Sequence, residues 1–215
     1  MRKQGLRILV ADDHPIVRAG IKVVLEAQDG WCVCAEAENG SELVSLALEQ
    51  EPDIVVVDHS LPVLNGLEAV RQIRKARPDA RILIYTMYDD DGLIQDALKA
   101  GARGYLLKSE DDSELVAGVQ ALMKGRTYFS QRVTEGLLDQ LVSGEKIMTS
   151  QTLTAREREV VQLVAEGKSN KAIAKRWGLS IKTVDTHRTS AMRKLNLRSA
   201  VDLARYAIRN KLIVP

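Results

Sequence analysis

A small set of side chains in this sequence stands where phosphorus chemistry would need it. Leu6-Arg7-Ile8-Leu9-Val10-Ala11 runs straight into Asp12-Asp13, and Asp53-Ile54-Val55-Val56-Val57 runs into Asp58. Arg81-Ile82-Leu83-Ile84-Tyr85 ends at Thr86, and Arg103-Gly104-Tyr105-Leu106-Leu107 ends at Lys108. Carboxylates gathered at close quarters repel, so a divalent cation is their natural occupant. Mg2+ suits such a site because it prefers oxygen ligands and usually keeps several waters. A lysine and a hydroxyl nearby suit a phosphoryl group, whose negative charge is spread over three oxygens. An aspartate can itself be the nucleophile toward phosphorus.

The elements that must position these residues are legible around them. A continuous apolar run ending in a carboxylate reads as a strand buried on both faces of a parallel sheet. In open α/β sheets the carboxyl ends of the strands are where ligands bind. Strand patterns at 6–11, 31–37, 53–58, 81–86 and 103–107 alternate with helix patterns. The first helix opens at His14-Pro15, with proline suited to the first turn. It carries Ile16, Val17, Ala19, Gly20, Val23, Val24 and Ala27 at helical spacing. The others fall at 41–48, 64–77, 92–100 and 113–124. Strict β–α alternation implies a (βα)5 doubly wound parallel sheet with helices on both faces. No G-x-G-x-x-G follows the first strand, which argues against a dinucleotide site.

Charge divides the chain. Residues 150–215 hold 14 Lys/Arg against 5 Asp/Glu, whereas residues 1–149 hold 17 against 24. An acidic front and a basic tail predict two domains, the second with a polyanionic partner. Hydrophobic content of 45% and charged content of 28% are ordinary for a soluble globular protein. No run approaches the ~20 apolar residues of a membrane span. The N-terminus lacks a signal-peptide pattern. Cys32 and Cys34 would share one face of a strand and read as buried free thiols, which fits a reducing cytoplasm.

After the fifth helix, 125–130 reads as loop. Val133, Leu137, Leu138 and Leu141 are helix-spaced, and 143–150 reads as linker. Thr154 with Glu157 three residues later is a capping-box signature opening a helix to Ala165. Further helices follow over Asn170–Trp177, from Ser180 to about Leu195, and over Ser199–Asn210. A short helix, a glycine-containing turn and a longer helix make a helix-turn-helix, and the scattered Lys and Arg give it the footprint of a DNA-binding module. The expected domains are 1–128, a linker with a short helix over 129–151, and a small all-α four-helix domain over 152–215.

Asp12-Asp13, Asp58, Thr86 and Lys108 resemble the pattern of response-regulator receiver domains of two-component signalling, over residues 6 to about 125. The resemblance implies phosphorylation of Asp58 by a partner histidine kinase. It implies Mg2+ held with help from Asp12, Asp13 and Asp58 and by the backbone carbonyl of Ser60. Thr86 would bind the phosphoryl group, Lys108 would pair with it, and Tyr105 matches the aromatic that swings inward on activation. His59 and Leu61 depart from the usual family residues and would bear on phosphate lifetime. The tail resembles the LuxR-type helix-turn-helix. The match is carried by Leu153-Thr154-x-Arg156-Glu157-x-Glu159-Val160, Asn170-Lys171-x-Ile173-Ala174, Ser180-x-Lys182-Thr183-Val184-x-Thr186-His187 and Met192-Arg193-Lys194-Leu195. Together the two halves resemble NarL/FixJ-type response regulators, which implies transcription control through homodimers on promoter DNA and no enzyme activity.

At about 100° per residue, Val184, Ala191 and Leu195 share one face of the third tail helix, with His187 and Arg188 on its flanks. His187 reads as a packing residue. Asp185, Thr186, Thr189 and Arg193 lie opposite. Asp185, Thr186 and Thr189 are the expected base readers, because recognition helices touch base edges mostly with their N-terminal residues. Lys171, Lys182, Thr183, Arg188 and Arg193 complete the DNA-contacting set. Two other readings compete. One is a regulator that binds DNA without phosphorylation and uses the receiver only for protein contacts. The other is an aspartate-nucleophile phosphohydrolase, which the position of Asp58 on the third strand and the want of a cap domain disfavour.

Overall fold

The computed structural model describes residues 5–135 and 153–213. Two compact units emerge, a sheet-and-helix unit and a C-terminal helical one. The expected linker at 143–150, and the helix-spaced Leu137, Leu138 and Leu141, lie outside the described residues.

In the first unit β1 (Leu6–Ala11), β2 (Trp31–Ala37), β3 (Ile54–Val57), β4 (Arg81–Thr86) and β5 (Gly104–Leu107) alternate with α1 (Pro15–Glu26), α2 (Gly40–Gln50), α3 (Gly66–Ala76), α4 (Asp91–Ala100) and α5 (Asp112–Met123). A short β6 (Tyr128–Phe129) follows. All pairs are parallel, in the order β2-β1-β3-β4-β5-β6. The apolar runs are central strands because both their faces are covered: Ile54 to Val57 are each at most 1% exposed. Burying such a side chain contributes roughly 1.5–3 kcal/mol. Alternate residues serve opposite faces. Ile8, Val10, Ile54, Val56, Leu83 and Leu106 pack on one side with Ile21 and Leu25 of α1 and Leu115, Val119 and Leu122 of α5.

Two expectations need correction. The loop expected at 125–130 contains β6, which pairs Tyr128 with Gly104 and Phe129 with Tyr105 and adds a sixth strand, among the described residues, after the five expected β–α units. Two residues give no alternation to read. The strand is fixed by distant partners: Tyr128 N–H donates to the Arg103 carbonyl, and its hydroxyl to Glu114. Cys32 and Cys34 are free but not buried, Cys32 being exposed, because β2 is an edge strand. On α1 the core side is Ile21 and Leu25 with Val17 and Val24 partly covered, whereas Ile16 and Val23 stand exposed.

The second unit holds α6 (Ala155–Ala165), α7 (Asn170–Trp177), α8 (Ile181–Lys194) and α9 (Ala200–Arg209). Thr154 and Glu157 form the expected capping box. Ser169, Ser180 and Ser199 cap the next three helices through their side chains. Gly178 ends α7 at φ 64°, a left-handed turn that glycine adopts without steric cost. Val160, Val161, Ile173, Ala174, Val184, Ala191, Leu203 and Ala207 form the core.

Candidate functional site

The parallel sheet brings Asp12, Asp58, Thr86 and Lys108 to one edge. The register sets Ala11 beside Val57 and Val57 beside Ile84, so the residues that follow these strands emerge together. This edge includes the crevice between β1 and β3, where the strand order reverses, which is the usual ligand position in such folds.

Lys108 Nζ lies 2.5 Å from Asp12 Oδ2 and 3.3 Å from Asp58 Oδ2. Its side chain is 9% exposed, so the cation is held by these carboxylates rather than by water. Asp12 is committed on both oxygens, since Oδ1 accepts from the His14 N–H at 2.9 Å. Its backbone carbonyl accepts from Arg18 at 2.7 Å. Arg18 is buried and anchored in turn by Glu36 and Glu38. Asp13 differs: its Oδ1 is buried without a hydrogen bond, although His14 Nδ1 lies 2.8 Å away. Burial pushes the Asp58 carboxyl above its ordinary range, and Asp12 adds to that. The Lys108 ammonium and a hydrogen bond from Thr86 act against the rise without cancelling it.

The chain turns sharply after Asp58. The Gly66 N–H donates to the His59 carbonyl at 2.8 Å. A Cβ on Gly66 would fall 2.0 Å from the Asp58 carbonyl oxygen, so only glycine permits this approach. Ser60 sits in this turn, two residues beyond Asp58. The His59 ring meets the Tyr88 ring edge-on at 5.8 Å. Tyr105 is 1% exposed, and its hydroxyl donates to the Tyr88 carbonyl at 2.7 Å. The ring thus lies inward, and burial raises the phenol's pKa further above its ordinary value.

Asp12, Asp13 and His14 form a group whose ligand atoms lie within 4.8 Å of one another. Asp12, Asp13 and Asp58 set against Lys108 leave an excess of negative charge. The oxygen donors, with the buried unbonded Asp13 Oδ1 among them, fit a hard divalent cation such as Mg2+.

The tail arranges its charges differently. Lys171, Lys182, Asp185, Thr186, Thr189 and Arg193 are exposed, while Thr183, His187 and Arg188 are half-buried. Thr183 is partly engaged by the Ser180 cap, its Oγ1 lying 2.8 Å from Ser180 Oγ. The Thr186 hydroxyl donates back to the Lys182 carbonyl at 2.9 Å. His187 packs edge-on against Trp177, over which Arg156 also stacks at 4.7 Å. Asn170 Nδ2 donates to Asp185 Oδ1 at 3.1 Å. Glu157 ties α6 to α8: Ser190 and Lys194 each donate to it at 2.7 Å. Partial burial pushes this carboxyl up, but hydrogen bonds from Lys194, the Thr154 N–H and Ser190 outweigh it and hold the pKa at about 2.

Sequence reasoning missed Arg18, His14 and Tyr88 around the strand-end site, and gave Asn170 and Glu157 no role beyond their motifs. The unbroken Asp12-Asp13-His14 run was a usable signal for His14. Nothing in the sequence pairs Arg18 with the Asp12 carbonyl, because that contact depends on where α1 docks.

Comparison with known proteins agrees with this geometry. Residues 8–120 match the response regulator receiver domain, and residues 151–207 match the bacterial regulatory proteins of the luxR family. The chain belongs to the two-component response regulators of the NarL/FixJ type. It is a DNA-binding transcription regulator. The oxygen regulatory protein NreC of Staphylococcus epidermidis is 38% identical over 97% of this chain and 99% of its own length. A LuxR-family two-component response regulator from Aurantimonas sp. SI85-9A1 is 41% identical over 64% of this chain and 99% of that one, with a TM-score of 0.63. RcsB from Salmonella enterica serovar Typhimurium, solved bound to promoter P1flhDC in the presence of phosphomimetic BeF3−, is 29% identical. It covers 94% of this chain and 97% of its own, with a TM-score of 0.60. Among the described residues no helix is long and apolar enough to cross a membrane.

Proposed function

We propose that a histidine kinase phosphorylates Asp58 and that the modification raises affinity for promoter DNA by favouring a homodimer. The observation that carries this reading is the Lys108 ammonium set between Asp12 and Asp58 at the strand ends. A carboxylate oxygen of Asp58 attacks phosphorus. The P–O bond forms as the P–N bond to the kinase imidazole breaks, and the imidazole keeps the electron pair. Lys108 and the Thr86 hydroxyl then meet the phosphoryl oxygens. Asp13, Asp12, Asp58 and the Ser60 carbonyl would hold Mg2+, which when bound neutralises charge on the transferring group. Tyr105 and the Tyr88 carbonyl report the state of Thr86 through the loop that joins β4 to α4.

DNA contact falls to α8 and the start of α7. Asp185, Thr186 and Thr189 read bases, and Lys171, Lys182, Thr183, Arg188 and Arg193 meet phosphates. A homodimer is supported by α9, which exposes Val201 and Ile208 seven residues apart, and by the RcsB dimers solved on DNA. The reading places the protein in the cytoplasm, with domains at 1–128 and 152–215 joined by 129–151. One observation favours a second reading, DNA binding independent of phosphorylation: the Tyr105 ring already lies inward, the arrangement that the first reading assigns to the activated chain.

Labelling with acetyl phosphate tests the first reading. One phosphoryl group should be added in Mg2+, none to Asp58→Asn, and Asp13→Ala should shift the Mg2+ midpoint upward by about 10- to 100-fold. Undiminished labelling of Asp58→Asn would move the acceptor elsewhere.

A further inference from the structure

We infer that Asn170 is a positioning residue for sequence reading, whose carboxamide holds Asp185 and Arg188 of α8 as a spaced pair of opposite charges. The inference rests on the reading of α8 as the base-contacting helix. Asn170 is the first residue of α7, and its side chain has no capping work, because Ser169 already accepts from the Ala172 N–H at 3.2 Å. Asn170 Nδ2 donates to Asp185 Oδ1 at 3.1 Å, and Arg188 Nη1 donates to Asn170 Oδ1 at 3.3 Å. The carboxamide therefore uses its nitrogen on an anion and its oxygen on a cation. Turned over, it would present oxygen to the carboxylate and nitrogen to the guanidinium, so its two charged partners fix its orientation.

The spacing gives this arrangement its consequence. Asp185 and Arg188 are three residues apart on one helix, neighbours on its surface that would ordinarily close into a direct ion pair. Such a pair would withdraw the carboxylate from the base edge and the guanidinium from the backbone. With Asn170 between them, one oxygen of Asp185 is satisfied and the other stays available to accept from a cytosine amino group. Held by an amide on one side, Asp185 also has fewer orientations in which to meet the wrong base.

Binding-site selection from a random-sequence duplex pool, with the full-length chain treated with acetyl phosphate, tests this. The proteins are wild type, Asn170→Ala, Asp185→Ala and the double variant. Asn170→Ala should relax preference at the same base pair of each half-site as Asp185→Ala, by roughly tenfold. The double variant should relax it no further, as members of one network are not additive. Alanine is well tolerated in a helix, and circular dichroism checks that α7 persists. Asn170→Asp, which still accepts from Arg188 but repels Asp185, should reproduce the relaxed preference. If Asn170→Ala keeps the preference that Asp185→Ala loses, the proposal is overturned and the base reading stands. Weaker binding to all sequences with preference intact would show a structural role only and also overturn it. Unchanged preference in Asp185→Ala would overturn the base reading itself, and the proposal with it.

Discussion

Lys108 and Lys182 are both assigned to phosphate in the proposed function, yet the molecule treats them in opposite ways. Lys108 is 9% exposed and fixed between Asp12 and Asp58, in a cluster whose members close separate strands. Lys182 is exposed on the first turn of α8, where water and salt reach it freely. The first arrangement concentrates charge where little water screens it, and every member depends on the others. The second spreads charge over a surface, so each cation acts nearly alone. Chemistry at a single carboxylate needs the former, and sliding along a polyanion is served by the latter.

Deleting a member of each arrangement should expose this difference. Lys108→Ala leaves Asp12 and Asp58 facing each other, both buried. Removing one partner of a buried ion pair costs about 3–5 kcal/mol, so urea unfolding of the first unit should show a loss in that range. A change below about 1 kcal/mol, the scale of exposed pairs, would mean that the cluster is screened after all.

Glu157 is a buried charge of the tail, and it should behave as the strand-end charges do. Glu157→Gln should cost about 2 kcal/mol, the scale of hydrogen bonds to a charged group, read from Trp177 fluorescence in a Trp31→Phe background. The pH dependence has a definite sign. Folding lowers the Glu157 pKa from 4.5 to about 2. Its stabilisation is therefore present in full above pH 4.5 and is lost as pH falls toward about 2. The wild-type advantage over Glu157→Gln should shrink across that window, and an advantage unchanged at pH 3 would contradict the assignment.

The smallest effect belongs to the exposed cation. Lys182→Ala should weaken binding to every duplex alike and lower the salt slope by about one unit. A sequence-dependent loss would make Lys182 a base reader.

The same contrast decides what could be read from the sequence. The strand-end residues were legible because each closes an apolar run, and a parallel sheet must deliver such ends to one edge. Thr154 and Glu157 were legible as a cap from spacing alone. Arg18 was not, because its long side chain reaches Asp12, Glu36 and Glu38 across elements that no local pattern relates. Tyr128 and Phe129 were missed because their strand exists only through β5. Helical periodicity put Val184 and Ala191 inward and Asp185, Thr186 and Thr189 outward, as found. It said nothing of Asn170, which meets α8 from another helix.

The affinity of the full-length chain for its selected duplex, before and after acetyl phosphate in Mg2+, tests the central claim most directly. Wild type should bind more tightly once phosphorylated, and Asp58→Asn should show no response to the same treatment. Equal affinity in all states would contradict the account, and would leave Asp58 without a part in DNA binding.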